Sequence, residues 1–90
     1  MTKQELIRLL NEYGDAVVTF RSENSKKLKY NVCTMDFSTA HIKNKNNRAK
    51  EVEGTLLVFC WDTDTFKLIK YESVTSVLPL ASILKNQRVY

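Results

Sequence analysis

Residues 55–61 read Thr-Leu-Leu-Val-Phe-Cys-Trp, and this segment is apolar on both faces of any strand that it forms. Such a strand must be covered on two sides, because either row of side chains would otherwise expose apolar surface to water. We expect the interior of a small barrel on one side and an N-terminal helix on the other. The chain has only 90 residues to supply these layers, which is enough for one core and one domain.

The first residues predict a helix. Thr2 followed by Glu5 matches a capping box, and Gly14 is well placed to end the helix. Apolar side chains recur on one helical face, at Leu6, Ile7, Leu9 and Leu10. This face could pack on the rest of the domain or dock into a groove of another protein, and the sequence leaves both alternatives open.

After Gly14 the chain is rich in β-branched and aromatic residues, in short runs separated by turn-forming clusters. This pattern predicts antiparallel strands. We expect strands over 16–21, 27–37, 55–61, 66–71 and 74–78, a tight turn over 62–65, and a brief helical turn over 80–85. In the second strand, the residues expected to point inward change from even-numbered positions, such as Tyr30, to odd-numbered positions, such as Cys33. A one-residue slip of this kind predicts a bulge or a strong bend.

A helix followed by about five short, curved antiparallel strands is the element order of an SH3-like or Sm-like barrel, which an orthogonal β sandwich closely resembles. We therefore predict a mainly β fold: a small antiparallel barrel with an N-terminal α-helix. The single domain covers residues 1–90, with the helix at 1–14, the barrel at 15–80 and a terminal turn and tail at 81–90.

The charge distribution is uneven. Residues 26–50 carry seven basic side chains against one acid, a balance of +6, whereas the rest of the chain carries seven basic and nine acidic side chains. Such asymmetry is typical of a protein with an anionic partner, most often nucleic acid. The cations of the asparagine-rich loop are expected to contact phosphates: Lys43, Lys45, Arg48 and Lys50. The alternative is that this basic loop only keeps a small β protein soluble and blocks edge pairing.

Further nucleic-acid-binding residues are expected on the strands. Lysines on the second and fourth predicted strands would add cations, and exposed tyrosines would offer rings on which bases stack. If the strands that carry them are adjacent, they form a strip of alternating aromatic and basic groups. These residues are Lys27, Lys29, Tyr30, Lys67, Lys70 and Tyr71. Trp61, at the end of an apolar strand, is expected to be half buried.

No catalytic or metal site is expected. Asp62 and Asp64 lie in a turn, where aspartate is favoured because it bonds to backbone. His41 is the only histidine and no Cys-x-x-Cys occurs, so zinc is excluded. Cys33 and Cys60 are interpreted as small buried apolar side chains, held as thiols in a reducing compartment. An enzyme that uses Cys33 and His41 is the rival hypothesis, and no cofactor is predicted.

The longest apolar run is far shorter than the ~20 residues that cross a bilayer, and the first residues lack the apolar stretch of a secretory signal. We therefore expect a cytoplasmic protein that has no contact with membranes.

Residues 54–80 resemble a known family. The stretch over 57–64 reads Leu-Val-Phe-Cys-Trp-Asp-Thr-Asp; residues 66–68 then read Phe-Lys-Leu and residues 74–77 read Val-Thr-Ser-Val. This resembles the small tailed-bacteriophage proteins described as WYL-like with an Sm-like SH3 barrel. The resemblance implies a barrel that binds nucleic acid or other anionic ligands to regulate partners. Lys67 and Lys70 would be the nearest counterparts of the basic strand in that family.

These observations lead to two hypotheses. The first is a non-enzymatic phage-type accessory protein that binds DNA or RNA without sequence preference through the basic loop, in the host cell cytoplasm if it is phage-encoded. The second is a protein-interaction module that binds and modulates a host protein through the edge of the barrel, the N-terminal helix or the basic face. Self-association from strand edge to strand edge, giving a homo-oligomer, is a variant of the second.

Overall fold

The computed structural model describes residues 1–38, residue 42 and residues 50–86. The prediction of a mainly β domain with an N-terminal helix is confirmed. The helices and strands of the described residues are α1 (Lys3–Tyr13), β1 (Asp15–Arg21), β2 (Leu28–Thr34), β3 (Thr55–Cys60), β4 (Thr65–Lys70), β5 (Val74–Pro79) and α2 (Leu80–Asn86), with a 3-10 turn, Tyr71–Ser73, between β4 and β5.

Helix α1 begins and ends at the residues that the sequence indicates. The Thr2 hydroxyl accepts a hydrogen bond from the Glu5 N–H at 3.2 Å, which satisfies one of the free donors at the start of a helix. The Gly14 N–H donates to the Leu10 carbonyl at 2.9 Å, with φ at +76°, a conformation that glycine adopts without steric cost. Leu6 and Leu10 are fully buried, so the apolar face of α1 packs within the domain.

The strands form one antiparallel sheet in the order β4-β3-β2-β1-β5. Strand β1 lies between β2 and β5, and its Val18 has Asn31 and Val77 as its cross-strand neighbours. Strands β4 and β5 are the two edges of the sheet and do not pair with each other in the described part of the chain. The five-stranded antiparallel sheet is therefore confirmed, whereas its closure into a barrel is not.

The core lies between α1 and one face of the sheet, which we call the inner face. Alternate residues of each strand point to this face, as the two-residue period of a strand requires. Its buried members are Leu6 and Leu10 from α1 and Ala16, Val18, Cys33, Leu56, Val58, Cys60, Ile69, Val74 and Val77 from the strands.

Strand β3 is covered on both faces, as expected from its sequence. On the outer face, Phe59 is buried and makes edge-to-face contacts with Trp61 and Phe66, with ring centroids 5.0 and 5.1 Å apart. Phe66 in turn contacts Phe37 at 5.3 Å. The second cover of β3 is thus an aromatic cluster and not the helix, because Leu6 of α1 packs with the inner-face residues.

The predicted slip in β2 is wrong. The β1–β2 pairing runs without a shift from Asp15 to Arg21, and the irregularity lies between β1 and β5, at Thr19 and Phe20. Leu28 and Tyr30, expected inside, are 57% and 67% exposed on the outer face. The inner face of β2 instead carries Lys29, Asn31 and Cys33. Lys29 is exposed at the start of this row, whereas Asn31 and Cys33 are buried, so the inner face of β2 opens to solvent next to the β1–β2 turn.

Cys33 and Cys60 are fully buried and lie opposite each other on β2 and β3, with 3.7 Å between their sulfur atoms. The prediction that both are buried is confirmed, and both are free thiols. The contact with the Cys60 sulfur, together with burial, raises the pKa of the Cys33 thiol well above its ordinary value. A thiol in this environment is protonated near neutral pH and is a poor nucleophile.

Candidate nucleic-acid interface

Strands β2 and β3 separate soon after they meet, because they pair only through Cys33 with Cys60 and Thr34 with Phe59. Asp62, in the β3–β4 turn, bonds to β2 where the pairing ends. Its carboxylate accepts hydrogen bonds from the Val32 N–H at 3.2 Å and from Asn31 Nδ2 at 3.0 Å. These bonds satisfy polar groups of β2 that have no partner on β3. The first half of β2 can therefore diverge from β3 without leaving these groups unbonded.

The turn predicted at 62–65 is confirmed over residues 61–64. Asp64 has φ at +55°, the left-handed conformation that aspartate tolerates better than most residues. The carboxylate of Asp62 is engaged with Asn31 and Val32. The geometry of this turn therefore explains why aspartate is present at both Asp62 and Asp64.

A pocket of about 400 Å³ lies between the β1–β2 turn and β4. Lys29 and Asn31 of β2 line one wall, and Lys67 and Lys70 of β4 line the other. Lys67 is the cross-strand partner of Val58, so its side chain leaves β4 on the inner face. We call this cavity the lysine pocket. Its walls come from strands that do not pair with each other, so the curvature of the sheet brings them together.

The lysine pocket is strongly basic. Within the described part of the chain, the pocket is lined by four cations, Arg21, Lys29, Lys67 and Lys70, and by one carboxylate, Glu23, for a formal balance of +3. Lys70 Nζ pairs with Glu23 Oε1, and Arg21 Nη1 donates to a backbone carbonyl of the β1–β2 turn at 2.9 Å. The ion pairs among the described residues include neither Lys29 nor Lys67. These two lysines therefore present charge that no direct carboxylate contact compensates there.

The structure brings together three of the predicted site residues, namely Lys29, Lys67 and Lys70. Lys27 is exposed and follows the β1–β2 turn, one wall of the same pocket. Lys50 is exposed ahead of β3. The remaining loop residues of the prediction, Lys43, Lys45, Arg48 and also His41, lie outside the described residues.

The predicted aromatic strip is not formed. Strands β2 and β4 are not neighbours, because β3 lies between them. Tyr30 is exposed, but on the outer face, opposite to Lys29. Tyr71 is half buried and packs against the core, which leaves little of its ring for stacking. Trp61 is half buried as predicted, and its indole N–H donates to Asp15 Oδ1 at 2.9 Å.

Of the twelve described residues that line the pocket, nine were missed by the sequence reasoning, among them Arg21, Glu23 and Asn31. A signal for Asn31 was present. Cys33 was correctly placed inside, and a two-residue period counted back from it leads to Asn31 and then Lys29. No comparable local signal identifies Glu23, which reaches the pocket through its contact with Lys70.

No helix within the described ranges has the length and apolar character needed to span a membrane. No protein-family model, curated protein or solved structure matches this chain.

Proposed function

We propose that this protein binds nucleic acid without sequence preference, through a basic face centred on the lysine pocket. The observation that carries the proposal is the convergence of Lys29 and Lys67, from strands that do not pair, on one cavity. Neither lysine has a carboxylate partner among the ion pairs of the described residues. Cations that are not compensated by the protein can neutralise phosphates, and the release of condensed counterions then favours binding.

Neighbouring lysines support a wider basic face. Lys26 and Lys27 are exposed directly after the β1–β2 turn, beside the pocket. We propose that Lys43, Lys45, Arg48 and Lys50 of the basic loop add further phosphate contacts. The resemblance of residues 54–80 supports a phage-type accessory role without enzymatic activity, in the host cell cytoplasm, for a DNA or RNA partner.

A double variant, Lys29→Ala with Lys67→Ala, tests the role of the pocket. Binding of labelled single-stranded and duplex DNA and RNA is measured at several salt concentrations. We expect the wild-type affinity to fall as salt rises. The double variant should bind more weakly, with its log–log salt slope reduced by about two, because about one phosphate contact is lost with each lysine.

The matched control is Lys3→Ala with Arg8→Ala, which removes the same charge from α1. There both cations are paired, with Glu51 and Glu12 respectively. The control should change the affinity much less than the pocket variant. The proposal fails if the wild type does not bind at low salt, if its affinity does not depend on salt, or if the two double variants lose equal affinity.

A protein partner is the second candidate, and the outer face of the sheet supports it. Leu28, Tyr30 and Leu78 are exposed, and the pairing of β2, β1 and β5 places all three on this face. Contiguous exposed apolar surface is typical of interaction sites, and we propose that these three side chains contribute to such a surface.

For this candidate, a host protein should be captured from a bacterial lysate after nuclease treatment and should be lost with Leu28→Ser and Leu78→Ser. Capture that nuclease abolishes would instead indicate a nucleic-acid bridge. Light scattering that gives a monomer mass would exclude the self-assembled variant.

A further inference from the structure

Among the described residues, Glu23 is the only carboxylate that lines the lysine pocket, and it forms an ion pair with Lys70. Both side chains are well exposed, since 56% of Lys70 and 66% of Glu23 remain accessible to solvent. Exposed ion pairs of this kind contribute little to stability, because water and salt screen them and two side chains must be ordered. The Glu23–Lys70 contact can therefore open at small cost.

We propose that the lysine pocket takes one phosphate group, bound by Lys29, Lys67 and Lys70, and that Glu23 competes with this phosphate for Lys70. This inference rests on the proposed function, and it identifies the chemistry of the site. The ligand is a phosphate ester, either part of a nucleic-acid backbone or carried by a free nucleotide. Glu23 would then set the affinity of the pocket without itself binding the ligand.

The size and the lining of the pocket fit a ligand of this class. About 400 Å³ lies within the range of small-molecule sites, and it can hold one nucleotide unit but not a duplex. Ser22 and Asn24 offer hydrogen-bond donors beside the lysines, and Phe20 and Leu68 supply apolar surface. A phosphate with an attached organic group meets both kinds of surface.

The charges of the pocket explain why a phosphate can displace the Glu23 carboxylate from Lys70. The Glu23 carboxylate reaches one cation, Lys70, whereas a phosphate within the pocket lies among three. Two of these, Lys29 and Lys67, have no ion pair among the described residues. When phosphate binds, Glu23 must release Lys70, and its negative charge then repels the ligand. Both effects weaken binding and both disappear when the carboxylate becomes an amide.

The test compares Glu23→Gln with Glu72→Gln. Glu72 is also exposed and lines the two neighbouring depressions together with Glu23, but it has no ion pair among those of the described residues. Each substitution raises the net charge by one, so a purely long-range effect would be equal in both. We expect Glu23→Gln to tighten binding about two- to fivefold more than Glu72→Gln, which is the value of one exposed ion pair.

The probes are inorganic phosphate, a 5′-mononucleotide and short single-stranded and duplex oligonucleotides, with binding measured by calorimetry or NMR titration. In a Lys70→Ala background, the excess effect of Glu23→Gln should shrink to the part that comes from repulsion of the ligand by the Glu23 charge, because Glu23 then has no lysine for which to compete. Equal effects of the two glutamine variants, or an excess that is undiminished without Lys70, would overturn the inference.

The outcomes separate this inference from the proposed function. If both glutamine variants behave alike while the Lys29 and Lys67 double variant still loses salt-dependent affinity, nucleic-acid binding stands and the competition by Glu23 does not. If the mononucleotide binds with the expected Glu23 effect and oligonucleotides do not bind, the pocket serves free nucleotides and the proposed function fails. An absence of binding by all four probes ends both.

Discussion

Replacing Leu6 with alanine should lower the free energy of unfolding by about 2–5 kcal/mol, as is usual for a leucine removed from a packed core. Leu6 is fully buried between α1 and the inner face of the sheet. Its truncation removes apolar contacts and leaves a cavity that a rigid sheet can fill only in part. The measurement is equilibrium denaturation in urea, with the midpoint and slope compared with those of the wild type.

Leu28→Ala is the matched control, because the same side-chain atoms are removed from an exposed position on β2. Its cost should be within about 0.5 kcal/mol, as for most surface substitutions. Equal costs for Leu6 and Leu28 would show that α1 does not pack on the sheet in solution. The apolar face of the helix would then be available to another protein, which was the alternative that the sequence left open.

Asp62→Ala should destabilise the protein by about 1–3 kcal/mol, the usual cost of leaving a buried polar group without its partner. The substitution removes the acceptor of both the Val32 N–H and the Asn31 amide. Asn31 is buried, so water cannot readily replace the carboxylate. Denaturation in urea gives the total effect, and hydrogen exchange at Val32 gives the local one.

Asp62→Asn provides a graded control. The asparagine keeps one carbonyl oxygen, so it can accept from Val32 or Asn31, and we expect a loss between those of wild type and Asp62→Ala. If Asp62→Ala leaves both stability and Val32 exchange unchanged, the carboxylate does not bridge the turn to β2. The separation of β2 from β3 would then need another explanation.

Local signals were sufficient for the helix and for the positions of the strands. The capping bond between Thr2 and Glu5 and the stop at Gly14 depend only on residues within a few positions of each other. The strand bounds follow from runs of β-branched residues that end at turn-forming clusters, and the observed bounds differ by one residue in most cases. In these parts of the chain, local propensity and tertiary packing favour the same structure.

The register of β2 could not be obtained in the same way. Leu28 and Tyr30 are apolar, and apolar residues were assigned to the interior. The inner face of β2 is apolar and buried at Cys33, but it borders the lysine pocket at Lys29 and Asn31, so polar side chains occupy its first half. Hydrophobicity therefore assigned Leu28 and Tyr30 to the wrong face of the sheet, whereas a two-residue period counted back from Cys33 assigns the residues of β2 to the correct faces.

The candidate site was predicted in part. The charge count over residues 26–50 identified Lys29, whereas Lys67 and Lys70 were identified by their place on the predicted fourth strand and by the family resemblance. Their convergence depends on the curvature of the sheet, and the role of Glu23 depends on a contact across 47 positions. Long-range contacts of this kind have no local signature, so their energetic consequences appear only in the folded chain.

The short pairing between β2 and β3 also divides the domain mechanically. On one side lie α1, β1, β2 and β5; on the other lies the β3–β4 hairpin, whose backbone is joined to β2 by two residue pairs, by the bond from the Trp61 N–H to the Val32 carbonyl and by the Asp62 bridge. The Trp61–Asp15 bond and the shared core add side-chain contacts between the two parts. Because Lys29 lies on β2 and Lys67 on β4, a ligand that binds both lysines would hold the β3–β4 hairpin against the rest of the domain. Local opening of the hairpin and occupancy of the pocket would then oppose each other. A bound anion would therefore raise the melting temperature of the whole molecule.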